Sequence, residues 1–309
     1  MKLFKVSSRL MGSAFQLGIV HHDEKFAKEN LQLGIDEIKR LELMFSEFLP
    51  NSETSLINQS AARHPVKISS ECFGLIKRCL NISQLSSGAF DITVSPLKKL
   101  YHFKNENFEM PDKKSVMSTL QSVGFKNIHL DEVNSTIFFS EKNTKISFAA
   151  IGKGYASDCV KNLWLRNGFN AGFVNASGDL NAFGENADGN SWKIGIANPD
   201  DKSKILMYVP MKNNSVATSG DYEQHFLYKN KRYSHNISPF TGMPVYGIKS
   251  VTVFSPSAEL SDALATAVYV KGKFDGINWV NQLPYTHAII IDNENEIHFS
   301  KNLNYETVS

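Results

Sequence analysis

Residues 25–46, KFAKENLQLGIDEIKRLELMFS, carry apolar side chains at Leu31, Ile35, Ile38, Leu41 and Met44, with polar residues between them. That three-to-four spacing predicts an amphipathic helix. After a loop rich in Ser, Asn and Pro, residues 70–86 return to the helical period, and 111–123 predict a third helix with Pro111 at its start. GYASDCVKNLWLRNG predicts a fourth, ending at Gly168. Elsewhere apolar and polar residues alternate, the period of a strand with one buried face. IHLDEVNSTIFFS, residues 128–140, predicts a hairpin about its Asn-Ser step. FNAGFVNAS, WKIGIANP, ILMYVPMK, SVATSG, FLYKNKRYSHNI and KSVTVFS predict short strands joined by turns of Gly, Asn, Asp and Pro. An Ala-rich helix follows at 258–270, and THAIIID with EIHFS predicts a last hairpin around Asn293–Asn295. Helices and antiparallel-type strands come in runs rather than in strict alternation, which predicts an α+β fold of mostly antiparallel sheets packed with helices. No low-complexity linker or solenoid period divides the chain, so one domain over residues 1–309 is expected, with room for a two-lobed build.

Composition narrows the partners. Lys and Arg number 33 against 31 Asp and Glu, a net charge of +2 that leaves no electrostatic footprint for nucleic acid. Cys72, Cys79 and Cys159 form no metal spacing, and their odd number argues against a disulfide framework. Cys72 and Cys79 share a helix face and read as buried apolar filler. At the N-terminus Lys2 and Lys5 mimic a signal peptide, but Arg9 interrupts, and no small-residue cleavage site or lipoprotein cysteine follows. A first strand and turn explain the segment better. With no apolar run long enough for a membrane span, a soluble cytoplasmic protein is expected, export being left open.

Five segments carry candidate chemistry. In AAIGKGYASD, residues 149–158, Gly152-Lys153-Gly154 opens a helix and can present backbone N–H groups and an ammonium to an anion; a plain strand-to-helix turn explains it equally simply. It lacks the upstream glycine and following hydroxyl of a Walker loop. In NASGDLNAFG, residues 175–184, Ser177-Gly178-Asp179 falls where a strand turns, either as a hairpin or as a close approach of backbone to ligand. In VATSGDYEQHF, residues 216–226, Thr218 and Ser219 beside glycine suit a polar ligand, and no base stands at a spacing that makes Ser219 a nucleophile. In AELSDALATAVYV, Asp262 and Thr266 are four apart and share a helix face. A carboxylate and a hydroxyl so placed suit a hard cation such as Mg²⁺. A helix-terminal Asp with Thr266 bonding back to its carbonyl is the competing reading. Finally, RYSHNISPFTG, residues 232–242, uses Pro239 and Gly242 to shape a loop with His235 near its start.

Taken in order, these strings resemble the flavin transferase family (FAD:protein FMN transferase, the ApbE family). The likeness runs from about Met11 to Gly272 and also includes MGS at 11–13, FSEFLPNSETSLIN at 45–58, SGAFDITVSPL at 87–97 and WKIGIANP at 192–199. The resemblance implies a T-fold-like (ApbE-like) α+β protein that binds FAD in a cleft and uses Mg²⁺. It implies cleavage of the FAD pyrophosphate, with FMN passing through a phosphoester to a threonine of an acceptor protein and AMP leaving. By position it implies Asp262 and Thr266 as metal ligands, with a backbone carbonyl near Gly152 as a third. His235 matches the histidine of an HxxDPxTG motif and is expected to serve transfer. Lys153, Asp179, Thr218 and Ser219 are expected to line the flavin or phosphate site. Met11, the residues from Ser52 to Asn58, and Asp91 to Thr93 are expected to border the nucleotide or isoalloxazine pocket. Family acceptors carry a Ser/Gly/Ala/Thr-rich stretch ending in the modified threonine. Two positions depart from the pattern: Ala149-Ala150 stand where the family has glycines, and Ser238 replaces the acidic residue of the histidine motif. The same residues suit two other activities, a Mg²⁺-dependent FAD pyrophosphatase yielding FMN and AMP, and a non-catalytic flavin-binding protein.

Overall fold

The computed structural model describes residues 1–101, 103, 110–211, 213–220, 225–228 and 231–307. Its main sheet has eight strands in the order Lys2–Leu10, Ser13–His21, Gly172–Ala176, Asp179–Phe183, Ser215–Gly220, Ile248–Ser255, His287–Asp292 and Ile297–Phe299. Every neighbouring pair is antiparallel. Two of the connections are two-residue turns, at Met11 (φ 49) with Gly12 (φ 73) and at Ser177 (φ 55) with Gly178 (φ 109). Positive φ at both central residues matches the twist of the flanking strands, which is why short polar residues or glycine dominate such turns. The two turns lie at one end of the sheet, tied by Ala14 N–H to Ser177 Oγ at 3.1 Å and Ser177 N–H to Ala14 O at 2.9 Å.

Helices cover one face of this sheet. Helix Glu24–Phe45 buries Leu31, Ile35, Ile38 and Leu41 of the predicted stripe, leaves its last member Met44 half-buried, and packs with helix Gly152–Arg166 over Leu17, Ile19 and Val174. Trp164 is fully buried there, and its indole N–H donates to Asn30 O at 2.9 Å, so the ring meets no unpaired polar cost. Cys72 and Cys79 are fully buried in the same cluster, on helix Ser70–Leu85, as filler. The other face is covered by a three-stranded sheet of Trp192–Asn198, Asp201–Met211 and Glu306–Thr307. Its Ile196, Met207, Val209 and Met211 pack on Val216, Phe254 and Ile289. A smaller cluster of Leu97, Tyr101, Val116 and Ile237 anchors strand Lys231–Ile237. Among the described residues no helix is long and apolar enough to cross a membrane.

Three short helices escape the periodicity: Glu53–Ser60 inside the expected loop, Ser95–Leu100 and Lys273–Val280. Each has about two turns or fewer, too few repeats for a pattern and too short to be stable alone, so packing creates them, helped by a side-chain cap only at Ser52 of Glu53–Ser60. The helix expected over 111–123 is shorter, Lys113–Leu120, because Asp112 Oδ1 accepts from Ser115 N–H at 2.9 Å and fixes the start two residues after Pro111. The hairpin about Asn134-Ser135 forms as expected from Ile128–Asp131 and Thr136–Phe139, with Ser135 at φ 51.

Candidate active site

Helix Ala258–Lys271 starts where Ser257 Oγ accepts from Leu260 N–H at 3.3 Å and stops at Gly272, whose φ of 86 suits glycine. Its alanines allow close neighbours. A Cβ on Gly154 of helix Gly152–Arg166 would stand 2.2 Å from Ala258 O, so only glycine permits this crossing. Asp158 completes the join: its Oδ1 accepts from Ala258 N–H at 3.1 Å and its Oδ2 from Glu259 N–H at 2.8 Å. Burial raises the Asp158 carboxyl above the usual carboxylate range, and those two backbone bonds oppose the rise. Asp158 therefore anchors the start of the helix that carries Asp262 and Thr266. Sequence reading gave it no role, although it is the last letter of IGKGYASD.

Two results are expected from this join. Gly154→Ala should cost about 1–3 kcal/mol through overpacking and spread the two helices, checked by denaturant unfolding. Asp158→Ala should cost about 1–2 kcal/mol as a lost cap. An unchanged unfolding midpoint in either variant would show that the helix contact does not set this geometry.

Asp262 is 6% exposed, and its Oδ2 accepts from Gly154 N–H at 3.2 Å. The backbone donor expected to face an anion is thus directed at a carboxylate of the protein itself. Thr266 is half-buried, with its Oγ1 3.5 Å from Ser219 Oγ on strand Ser215–Gly220. Lys153 Nζ lies 2.5 Å from Asp179 Oδ2, and Asp179 Oδ1 accepts from Thr218 N–H at 2.9 Å. Thr218 Oγ1 in turn meets Thr252 Oγ1 at 2.9 Å. Residues far apart in the chain, Gly152 to Gly154, Asp179, Thr218, Ser219, Asp262 and Thr266, are thus linked by hydrogen bonds and chain adjacency at one place.

This cluster borders a cleft of about 470 Å³ whose wall includes Met11, Phe45, Phe48, Phe148, Gly152 and Lys153. A second cavity of about 250 Å³ shares Glu47, Phe48, Ser147 and Ala149 with it and reaches Asp91. A third, of about 210 Å³, is lined by Ser177, Gly178, Thr218 and Thr252. Other predicted residues stand behind these walls. Ser52 is 2% exposed and caps helix Glu53–Ser60 through Ser55 N–H at 3.0 Å. Asn58 pairs twice with Ile146, donating to its carbonyl at 2.8 Å and accepting its N–H at 2.7 Å. Asp91 Oδ1 accepts from Thr93 N–H at 2.8 Å and Thr93 Oγ1 at 2.6 Å, while Oδ2 accepts from Phe125 N–H at 2.7 Å. Burial raises the Asp91 carboxyl and these bonds oppose it. Thr93, fully buried, holds Gly124 N–H at 2.7 Å. Ser52, Asn58 and Thr93 thus shape the walls from outside the open space.

His235 is half-buried within strand Lys231–Ile237, just before the loop rather than in it. That strand contacts both helix Ser95–Leu100 and helix Ala258–Lys271, so the imidazole and the Asp262 helix belong to neighbouring elements. The following turn closes through Gly242 N–H to Ser238 O at 2.8 Å and Ser238 N–H to Met243 O at 2.9 Å, with Gly242 at φ 69. Tyr101 OH fixes it by donating to Gly242 O at 2.6 Å. Ser238 Oγ accepts from Phe240 N–H at 3.3 Å, so this hydroxyl helps close the turn. Asp221, beside Gly220 in the VATSGDYE string, lies outside the described residues.

The ApbE family model matches residues 11–290. An FAD:protein FMN transferase of Klebsiella pneumoniae (strain 342) is 29% identical over 298 residues, covering 96% of this chain and 91% of the relative. One of Escherichia coli (strain K12) is 29% identical over 278 residues, covering 86% and 78% respectively. Among solved structures, the ApbE protein of Thermotoga maritima superposes with a TM-score of 0.89 at 29% identity, covering 97% of each chain. The apo form of the Pseudomonas stutzeri flavinyl transferase ApbE, at 24% identity, shares the fold with a TM-score of 0.87 over 97% of this chain and 95% of its own. With its α+β architecture, its motifs in order and a family match over most of its length, this chain belongs to the ApbE family.

Proposed function

We propose that this protein is a Mg²⁺-dependent FAD:protein FMN transferase that joins FMN through a phosphoester to a threonine of an acceptor protein and releases AMP. The observation that carries the reading is the meeting of Asp262, Thr266, Ser219 and the Gly152–Gly154 helix start beside a cleft lined by Lys153. The donors there are a carboxylate and hydroxyls, all oxygen, which fits a hard divalent cation. A carboxylate has about four lone-pair sites, so the bond from Gly154 N–H leaves Asp262 able to take a cation as well. Asp262 and Thr266 would hold the ion, with a backbone carbonyl near Gly152. When bound, it neutralises charge on the pyrophosphate.

The chain's own groups do the rest. Asp179, itself held by Thr218 N–H, holds the Lys153 ammonium at the cleft wall, where it binds phosphate oxygens. His235 takes the proton of the acceptor hydroxyl as its oxygen forms the new O–P bond and the bond between the two phosphates breaks. AMP departs with the bridging oxygen. Orientation of the hydroxyl in line with the breaking bond supplies a further share of the rate.

One assay tests the reading: protein, FAD and Mg²⁺ are incubated with and without a candidate acceptor bearing a Ser/Gly/Ala/Thr-rich stretch, following AMP and acceptor mass. AMP release coupled to an acceptor mass gain of one FMN is expected. AMP without acceptor would indicate a pyrophosphatase, and FAD retention without AMP a carrier; either outcome overturns the transferase assignment.

A further inference from the structure

The 250 Å³ cavity next to the cleft is lined by four charged residues, Glu47, Asp91, Lys98 and Lys99, together with apolar ones such as Phe48, Ile92 and Val94. Three of the four charged groups are paired. Glu47 accepts from Ser95 Oγ at 2.9 Å and Ser147 Oγ at 2.8 Å, with Lys99 Nζ at 3.5 Å. Asp91 accepts from Thr93 and Phe125. The ammonium of Lys98, a half-buried residue of the same wall, has no hydrogen bond or ion pair among the described residues, and Glu47 acts on it only through its field. Burial pulls the Lys98 ammonium below the usual lysine range, and the Glu47 charge opposes that pull. A half-buried donor left unpaired has lost part of its hydration, so an acceptor that enters this cavity gains more there than at a fully exposed lysine.

The shape of the space identifies the acceptor. The cavity shares Glu47, Phe48, Ser147 and Ala149 with the larger cleft, where Met11, Phe45 and Phe148 supply apolar wall. A flat group with one apolar end and one acceptor-rich end can span both. The isoalloxazine is such a group: a dimethylbenzene ring at one edge, and two carbonyls flanking an N–H at the other. Adenine is smaller, has no carbonyl and is polar at most of its edges. Resting on the proposed FAD chemistry, we propose that Lys98 is a specificity-determining residue whose ammonium donates to the carbonyl edge of the isoalloxazine in this cavity. The carboxylates of Asp91 and Glu47 keep acceptor capacity for the N–H between the two carbonyls. A cation at this edge also stabilises the electron-rich reduced ring, so Lys98 raises the midpoint potential of the bound flavin.

The test compares wild type, Lys98→Met and Lys98→Arg with Mg²⁺ withheld, measuring affinities for FAD, riboflavin and ADP by calorimetry. Lys98→Met is expected to weaken FAD and riboflavin by about tenfold, the worth of one charge-assisted bond, and to leave ADP unchanged. Lys98→Arg should restore most of the loss. In Lys98→Met the midpoint potential of bound FAD should fall, a shift that a purely structural role would not produce. Riboflavin bound by Lys98→Met as tightly as by wild type, or a loss of ADP affinity, overturns the assignment while leaving the transferase reading intact. A wild-type protein that binds no FAD removes both.

Discussion

Asp262→Asn is expected to lower Mg²⁺-dependent AMP release from FAD on the order of a thousandfold while the protein stays folded. Its amide oxygen can still accept from Gly154 N–H, so the helix crossing is kept and only the charge is lost. The proposed cation site then has a neutral oxygen where an anionic one stood, and several kcal/mol of charge stabilisation at the pyrophosphate go with it. Asp262→Ala should be at least as inactive and should also lose the Gly154 bond. The two variants together separate charge from packing: turnover is followed by AMP release over a Mg²⁺ titration, and folding by thermal unfolding. Asp262→Asn at the wild-type rate would end the metal assignment.

His235→Ala is expected to reduce FMN transfer by about 10²–10⁴-fold with little change in FAD affinity. His235 belongs to strand Lys231–Ile237, which contacts both helix Ser95–Leu100 and helix Ala258–Lys271, and it is not among the residues lining the 470 Å³ cleft. In the proposed role it would act on the acceptor hydroxyl and leave ligand binding to other residues. The check is acceptor mass against time, with FAD binding measured on the same sample. A parallel loss of binding would reassign His235 to the nucleotide site, and wild-type transfer would remove it from the reaction. Ser238 adds a second point: its hydroxyl accepts from Phe240 N–H and so helps close the loop that follows His235.

Most of the helices and strands were legible from period alone. Leu31, Ile35, Ile38 and Leu41 repeat often enough to define a buried stripe, and the structure buries all four. Glu53–Ser60 and Lys273–Val280 were not legible, since about two turns give no stripe to count. Within the site, the Asp262–Thr266 spacing suggested a shared face, but a helix-terminal Asp with a back-bonded Thr explained it equally well. Ser219 beside Thr266, and Gly154 N–H on Asp262, are contacts across 47 and 108 residues of chain. Asp158 and Lys98 carried no signal of their own, because a capping carboxylate and an unpaired ammonium are defined only by what surrounds them.

The sequence by itself determined the α+β class, the placement of a turn at Ser177-Gly178, and the residue types available for phosphate chemistry. These are local properties, set by side-chain period and by which residues tolerate positive φ. Only the tertiary structure decided that Asp262 meets Gly154, that Lys153 is held by Asp179, and that Ser52, Asn58 and Thr93 support walls rather than line them. Those outcomes depend on how two helices cross and two sheets pack, and packing geometry is a sum over many distant contacts that no short window of sequence contains.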